Sequence, residues 1–415
     1  MRRKWILALL LSLLLTACGG KLVPPAPEVP DTSPAENPRP EPEEPPEPTQ
    51  EEVEEAALET LLRDMTLEEK VGQLFFAQVP AENAVEDIMT YHLGGYILFG
   101  RDTQGKTANE LIQTIWSYQS AGQRVPLLIG VDEEGGTVVR VSSNPNIRGQ
   151  KFSSPQRILS KYGDGDDGLA ALERETEEKT ILLKRLGFNV NLNPVADVSK
   201  STSDFIHDRT WGDNAGAAAN YVYRVVQIQS LYGLGSVLKH FPGYGNNKDT
   251  HTGIAVDDRP METFLEEDFE PFRWGISTGE TYPPMPAVLV SHNIVNCMDP
   301  DLPASLSPEV HRVLREDLSF DGVVMTDDLA MKAVAEYAAD GAAAVMALQA
   351  GNDMVVTSDY RTQIPRVIEA VKNGNLDEPV IDAACRRVLR WKLDLKLLKL
   401  TEDGTLRNLT IQEMT

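Results

Sequence analysis

The sequence is poor in cysteine, with 3 in 415 residues. Cys18, Cys297 and Cys385 are too few and too scattered for a disulfide framework. Cys297 and Cys385 sit in apolar-rich contexts and read as buried free thiols. Histidine is scarce too, at 6 residues, and no HxxxH, HxH or CxxC spacing occurs. That leaves no clustered metal-ligand motif; scattered carboxylates are the weaker route to a divalent site. Positive charge is in deficit, 39 Lys and Arg against 63 Asp and Glu, for a formal net charge of −24. Such a balance argues against nucleic acid or anionic polymers as direct partners. The apolar run at residues 5–15 is too short to cross a bilayer as a helix.

That run follows a basic start (Arg2, Arg3, Lys4) and ends in Leu15-Thr16-Ala17-Cys18. The pattern is a signal peptide over 1–17 closing on a lipobox-like site, with Cys18 as the lipidated residue. Several acyl chains on one cysteine anchor stably to a membrane. The expected location is outside the cytoplasm, on the cell membrane. Residues 18–50 are a Pro/Glu-rich linker: 11 of the 27 prolines fall within 23–50. It has no apolar periodicity to offset the cost of ordering, so it stays extended. At ~3.1 Å per residue the 23–50 stretch reaches roughly 80–90 Å.

Residues 51–400 read as a single catalytic domain, and 401–415 as a tail without a clear pattern. Thr66-Leu67-Glu68-Glu69 is a capping box opening a helix. Eight short apolar segments follow, at 74–79, 95–99, 127–131, 190–195, 236–241, 287–291, 322–325 and 354–357. Amphipathic helical patterns fill most of the gaps, as at 109–121, 169–186, 217–232 and 309–318. Apolar strands alternating with helices predict an α/β fold with a parallel sheet, and eight of them a (β/α)8 barrel.

A barrel makes a demand on its strand ends, because sites form at the C-terminal ends of the strands. The polar residues comply. Arg101 and Asp102, Asp132 to Glu134, Asp197, Lys239 and His240, His292, and Asp327 and Asp328 each follow an apolar run. Polar residues placed only for solubility would scatter to both ends, so the asymmetry points to an enzyme. A strand-end carboxylate such as Asp327 suits a metal ligand, a base or a nucleophile. The loop KHFPGYGNNKDTHTG adds Asp249-Thr250-His251. Two residues apart in extended chain, the pair can meet on one side, and the carboxylate then favours the imidazolium. Such a His can give a proton to a leaving oxygen and take one from water. Taken alone, an Asp-x-His pair is a weak signal.

KHFPGYG, DEEGGTVVR, NVNLNPVADV, HDRTWGD, PASLSP and GVVMTDDLAM resemble, in order, the signatures of glycoside hydrolase family 3. The resemblance covers about residues 58–398 and is to its bacterial β-N-acetylhexosaminidase branch, NagZ. It implies Asp327 as nucleophile and His251 as acid/base with Asp249 as partner. It implies Asp132, Arg140, Lys239, His240 and Arg209 as substrate-binding residues, Arg209 being the better of the two arginines. Asp328 reads as a strand-end or cap carboxylate, and His292 and Asp353 as support. The implied reaction is retaining hydrolysis of terminal β-linked N-acetylglucosamine, on cell-wall fragments, by a monomer without metal or cofactor. The branch usually reads KHFPGHGDT; here Tyr244 replaces the second histidine, and the loop is about one residue shorter. The resemblance leaves no room for the sandwich domain that supplies an acid in family 3 β-glucosidases. A phosphorylase, another β-hexosidase and a weakly catalytic sugar-binding lipoprotein stay open as alternatives.

Overall fold

The computed structural model describes residues 48–408 apart from 246, 248–252, 332–333, 335–336 and 339–341. Cys18, Asp249 and His251 lie outside the described residues. Eight parallel strands carry the fold: β1 (Phe75–Gln78), β2 (Gly95–Leu98), β3 (Leu128–Val131), β4 (Val190–Asn191), β5 (Gly235–Phe241), β6 (Ala287–Val290), β7 (Val324–Thr326) and β8 (Val355–Thr357). They lie side by side in chain order, and β8 returns to pair with β1, Phe75 opposite Val355. A single parallel bridge, Met325 with Met354, joins β7 to β8. The Thr326 hydroxyl also accepts the Val356 N–H across that seam, at 3.0 Å. This is the (β/α)8 barrel that the eight apolar runs predict.

Local chemistry explains the elements. The Thr66 hydroxyl accepts the Glu69 N–H while Glu69 accepts the Thr66 N–H, so the predicted capping box opens the helix Leu67–Gln73. The helices Ala108–Gln119, Asp166–Leu186 and Ala215–Leu231 match their amphipathic patterns within about three residues at either end. The pattern at 309–318 divides into an α-helix, Pro308–Arg312, and a π-helical turn, Val313–Asp317. β4 is shorter than its apolar run because Pro194 has no N–H for the ladder. Pairing resumes one residue later, at Val195 with Lys239.

The barrel interior is close-packed. A Cβ on Gly130 would stand 2.5 Å from the Phe76 ring, and one on Gly95 would strike the Leu128 carbonyl. Only glycine admits the ring and the neighbouring strand at these points. Cys385 is buried, and burial pushes its thiol up to about 12. Cys297 corrects the sequence reading. It is exposed, because it lies in the turn just after the two-residue strand Ile294–Val295 rather than in that buried strand. The chain beyond Leu400 also has structure: Leu398–Leu400 pairs antiparallel with Leu406–Asn408.

The barrel's two ends differ chemically. At the N-terminal end of β1 and β2, Lys392 enters from the helix Glu378–Asp394 and is fully buried. Its ammonium donates to Gln73 Oε1 at 2.6 Å and to the Gly94 carbonyl at 2.8 Å. Neither partner is charged, and burial pushes Lys392 down to about 7. Above pH 7 the folded protein has shed a proton that the unfolded chain holds to about 10.4, so folding grows more favourable as pH rises through that window. Relative to Lys392→Met, wild type is expected to gain stability from pH 7 upward, with a slope approaching ~1.4 kcal/mol per pH unit. Denaturant melts of both proteins across that range check it, and a pH-independent gap would refute it.

Candidate active site

At the opposite end the strand termini enclose a cavity of about 400 Å³. Asp132, Arg140, Arg209, Lys239, His240 and Asp327 all line it, so six of the predicted site residues converge. The convergence follows from the strands. Asp132 follows β3, Lys239 and His240 lie within β5, and Asp327 follows β7. The ladder between β5 and β6 skips a register between Lys239 and Phe241. Lys239 and His240, which a regular strand would send to opposite faces, therefore both reach the cavity.

Charge organises the floor. Lys239, only 3% exposed, donates to Asp132 Oδ1 at 2.7 Å and lies 2.6 Å from Glu134 Oε1. It is not a surface lysine lying along apolar side chains. Arg209 forks onto the same Glu134 carboxylate, at 2.8 and 2.9 Å. Burial opposes the charge on Glu134, but Arg209 and Lys239 outweigh it and hold the carboxyl well below the usual range. Burial likewise opposes the Lys239 charge, and Asp132 and Glu134 more than restore it, so its pKa is raised. Arg209 Nη2 also stands 3.3 Å from His240 Nε2. On the other edge of that ring, Nδ1 lies 2.8 Å from Asp197 Oδ2. The second Asp197 oxygen accepts the Tyr244 N–H at 2.8 Å, which fixes the start of the loop toward Asp249 and His251.

Arg140 is brought in by a folded-back loop. The buried Glu133 carboxylate accepts the N–H groups of Arg140, Val141 and Ser142 at 2.8, 2.7 and 3.1 Å. Among the described residues Arg140 forms no ion pair. Its guanidinium lies 5.9 Å from the Phe99 ring centre, and its buried Nε has no partner there. That leaves its donors available for a ligand.

Asp327 Oδ1 accepts the Asp328 N–H at 2.8 Å. Asp328 accepts the Ala330 N–H at 2.9 Å and a hydrogen bond from Gln78, as a cap carboxylate would. His292 is buried between the Ser305 hydroxyl at 2.7 Å and the Asp328 carbonyl at 3.0 Å, so it braces the backbone beside Asp327. Asp353 sits outside the cavity. It binds Arg315 and Arg387 at 2.7 and 3.0 Å and is structural. Sequence reasoning missed Glu134 and gave Asp197 no role. Both signals were there, in the second glutamate of DEEGG and in the strand-end aspartate of NPVAD. Among the described residues no group of three or more His, Cys, Asp and Glu side chains is arranged to hold a metal ion.

Removing one partner from a buried ionic cluster costs more than the pair itself contributes, because the remaining charges lose compensation. Glu134→Gln is expected to destabilise the fold by ~3–5 kcal/mol. Asp132→Asn, at the better solvated end, should cost clearly less. Denaturant unfolding of both variants tests the ranking. Equal losses would mean that Glu134 does not organise the cluster.

Residues 66–391 match the glycosyl hydrolase family 3 N-terminal domain. A β-hexosaminidase of Bordetella pertussis is 35% identical over 272 residues, 64% of this chain and 72% of its own. The β-hexosaminidase LpqI of Mycobacterium tuberculosis is 30% identical over 336 residues, 78% of this chain and 82% of its own. Among solved structures, a family 3 β-N-acetylglucosaminidase from Paenibacillus superposes with a TM-score of 0.73 at 26% identity, covering 84% of this chain and 67% of its own. M. tuberculosis LpqI superposes at 0.70 and 26% identity, over 81% and 96%. A match over most of the folded chain, on a barrel whose charged cavity holds the predicted residues, means that this protein belongs to glycosyl hydrolase family 3.

Proposed function

We propose that the protein is a retaining β-N-acetylhexosaminidase that removes terminal β-linked N-acetylglucosamine. The carrying observation is the meeting of Asp327 with the Lys239–Asp132–Glu134–Arg209 cluster in one cavity. A pyranose presents hydroxyls that both donate and accept. Fixed carboxylates beside fixed cations satisfy both kinds, which suits a neutral sugar. The names of the relatives, β-hexosaminidase and β-N-acetylglucosaminidase, support the same substrate class.

In this reading Asp327 attacks the anomeric carbon. A carbon–oxygen bond to Asp327 forms as the glycosidic bond breaks, and His251 gives its proton to the departing oxygen. Asp249 holds the His251 imidazolium. Water then attacks the same carbon, His251 takes its proton, and Asp327 is released. Asp132, Lys239, Arg209 and His240 hold ring hydroxyls, and Arg140 offers free donors to the substrate. Signal cleavage before Cys18 and lipidation there would anchor the protein outside the cytoplasm. The 23–50 linker would hold the domain off the membrane, within reach of peptidoglycan fragments.

Hydrolysis of an aryl β-N-acetylglucosaminide, with the aryl β-glucoside beside it, tests the reading. Asp327→Ala should lower kcat/KM by at least roughly 10³-fold. His251→Ala should cost roughly 10²–10⁴-fold with a poor leaving group and much less with dinitrophenolate, which departs without a proton. Proton NMR should find the β-anomer as first product. An α-anomer would refute retention, and sugar phosphate appearing when phosphate is added would make the enzyme a phosphorylase.

A further inference from the structure

Phe205 is 37% exposed and lines the cavity. The other large apolar side chains that are exposed among the described residues, such as Trp274, Leu231 and Met89, do not. Single exposed apolar residues are ordinary on a protein surface. One held at the rim of a charged cavity is less so.

The Phe205 ring is held, not loose. It meets Tyr244 edge to face, centroids 5.0 Å apart, and Tyr244 meets His240 in the same way at 5.0 Å. Tyr244 itself is 2% exposed, and its N–H is tied to Asp197. The backbone under Phe205 is braced from both sides. Asp204 accepts from the Ser199 hydroxyl at 2.8 Å and the Ser201 N–H at 3.3 Å, and its carbonyl accepts the His207 N–H at 3.1 Å. Four residues on, Arg209 enters the charged floor. The result is an aromatic step from His240, in the floor, through Tyr244 to the rim.

We propose that the Phe205–Tyr244 step is a platform for the leaving-group sugar, so that the protein's substrates carry a pyranose ring, not a small or flexible group, beyond the scissile bond. This rests on the function proposed above, in which the charged floor holds the terminal sugar. With that ring seated inward, whatever it is joined to extends toward the rim. Phe205, exposed at the rim and reached from His240 through Tyr244, therefore flanks the leaving-group side. The apolar C–H face of a pyranose stacks on an aromatic ring, while its hydroxyls stay in water at the rim. Phe205 acts on specificity by positioning the ring and touches no reacting atom.

The test uses the full-length protein and two substrates, the β-1,4-linked N-acetylglucosamine disaccharide and methyl β-N-acetylglucosaminide. The loss of kcat/KM in Phe205→Ala is expected to be at least about tenfold greater on the disaccharide, ~1.4 kcal/mol, and to appear in KM. Phe205→Tyr should recover most of it. Equal losses on both substrates, or a loss confined to kcat, would overturn the platform. Calorimetric binding of the disaccharide to Asp327→Ala, with and without Phe205→Ala, is independent of turnover. If wild type cleaves neither substrate, the hydrolase reading fails, and this arm alone decides. About tenfold weaker binding in the double variant upholds the platform; equal affinity, or no binding to either, overturns it.

Discussion

The site depends on a buried ammonium between two carboxylates. Lys239 has given up most of its water, and Asp132 and Glu134 replace it. Desolvating these charges costs several kcal/mol per ion, and only close, fully hydrogen-bonded geometry offsets it. Glu134 achieves this by taking two cations at once, Lys239 on one oxygen and Arg209 across both. Arg209 then carries the order onward to His240, and His240 to Asp197. The chain of contacts runs across β3, β4 and β5 and ties their C-terminal ends together, so the cavity is polar and still rigid.

Rigidity of this kind has a chemical use. Groups fixed before a ligand arrives do not have to reorganise when charge develops. A sugar entering the cavity exchanges water for donors and acceptors already in place. The opposite end of the barrel shows the contrast. Lys392 is as buried as Lys239 but faces only an amide and a carbonyl, and its charge is disfavoured. The same residue type is held charged at one end and pushed toward neutrality at the other, and the difference lies entirely in the carboxylates.

How much of this the sequence revealed follows from what kind of signal each part needs. The strands are short apolar runs, and burial on both faces makes such runs continuous, so all eight were legible. The residues that follow them inherit their position from the barrel, which is why Asp132, Lys239, His240 and Asp327 could be found. Glu134 was harder. Three consecutive acids in DEEGG offer no means of telling which two line the cavity against its cations and which one folds the loop. Asp132 and Glu134 do the first, Asp132 against Lys239 and Glu134 against both Lys239 and Arg209, and Glu133 does the second through the 140–142 backbone. Cys297 failed for a related reason. Its apolar neighbours are buried in a two-residue strand, Ile294–Val295, and the turn after that strand is not. Phe205 carried no signal at all, because an aromatic in a polar loop looks the same whether it packs inward or stands at a rim.

Two of the three glycines of the 239–253 loop have a physical account that turn propensity alone did not supply. Gly243 and Gly245 both have positive φ, 125° and 54°. More decisive is what stands against them. A Cβ on Gly243 would collide with the Asp268 carboxylate, and one on Gly245 would come within 2.5 Å of the Arg259 guanidinium carbon. Arg259 is itself clamped, by Asp257 at 2.8 Å and Asp268 at 2.8 Å, and lies 4.4 Å from the Phe264 ring centre. Asp257 and Arg259 lie just beyond the far end of the loop, and Gly243 and Gly245 at its near end. One ion cluster therefore presses the two ends of the loop together. Gly243 and Gly245 are there so that the backbone can lie directly on charged groups, and they hold the near end of the loop in place rather than loosening it.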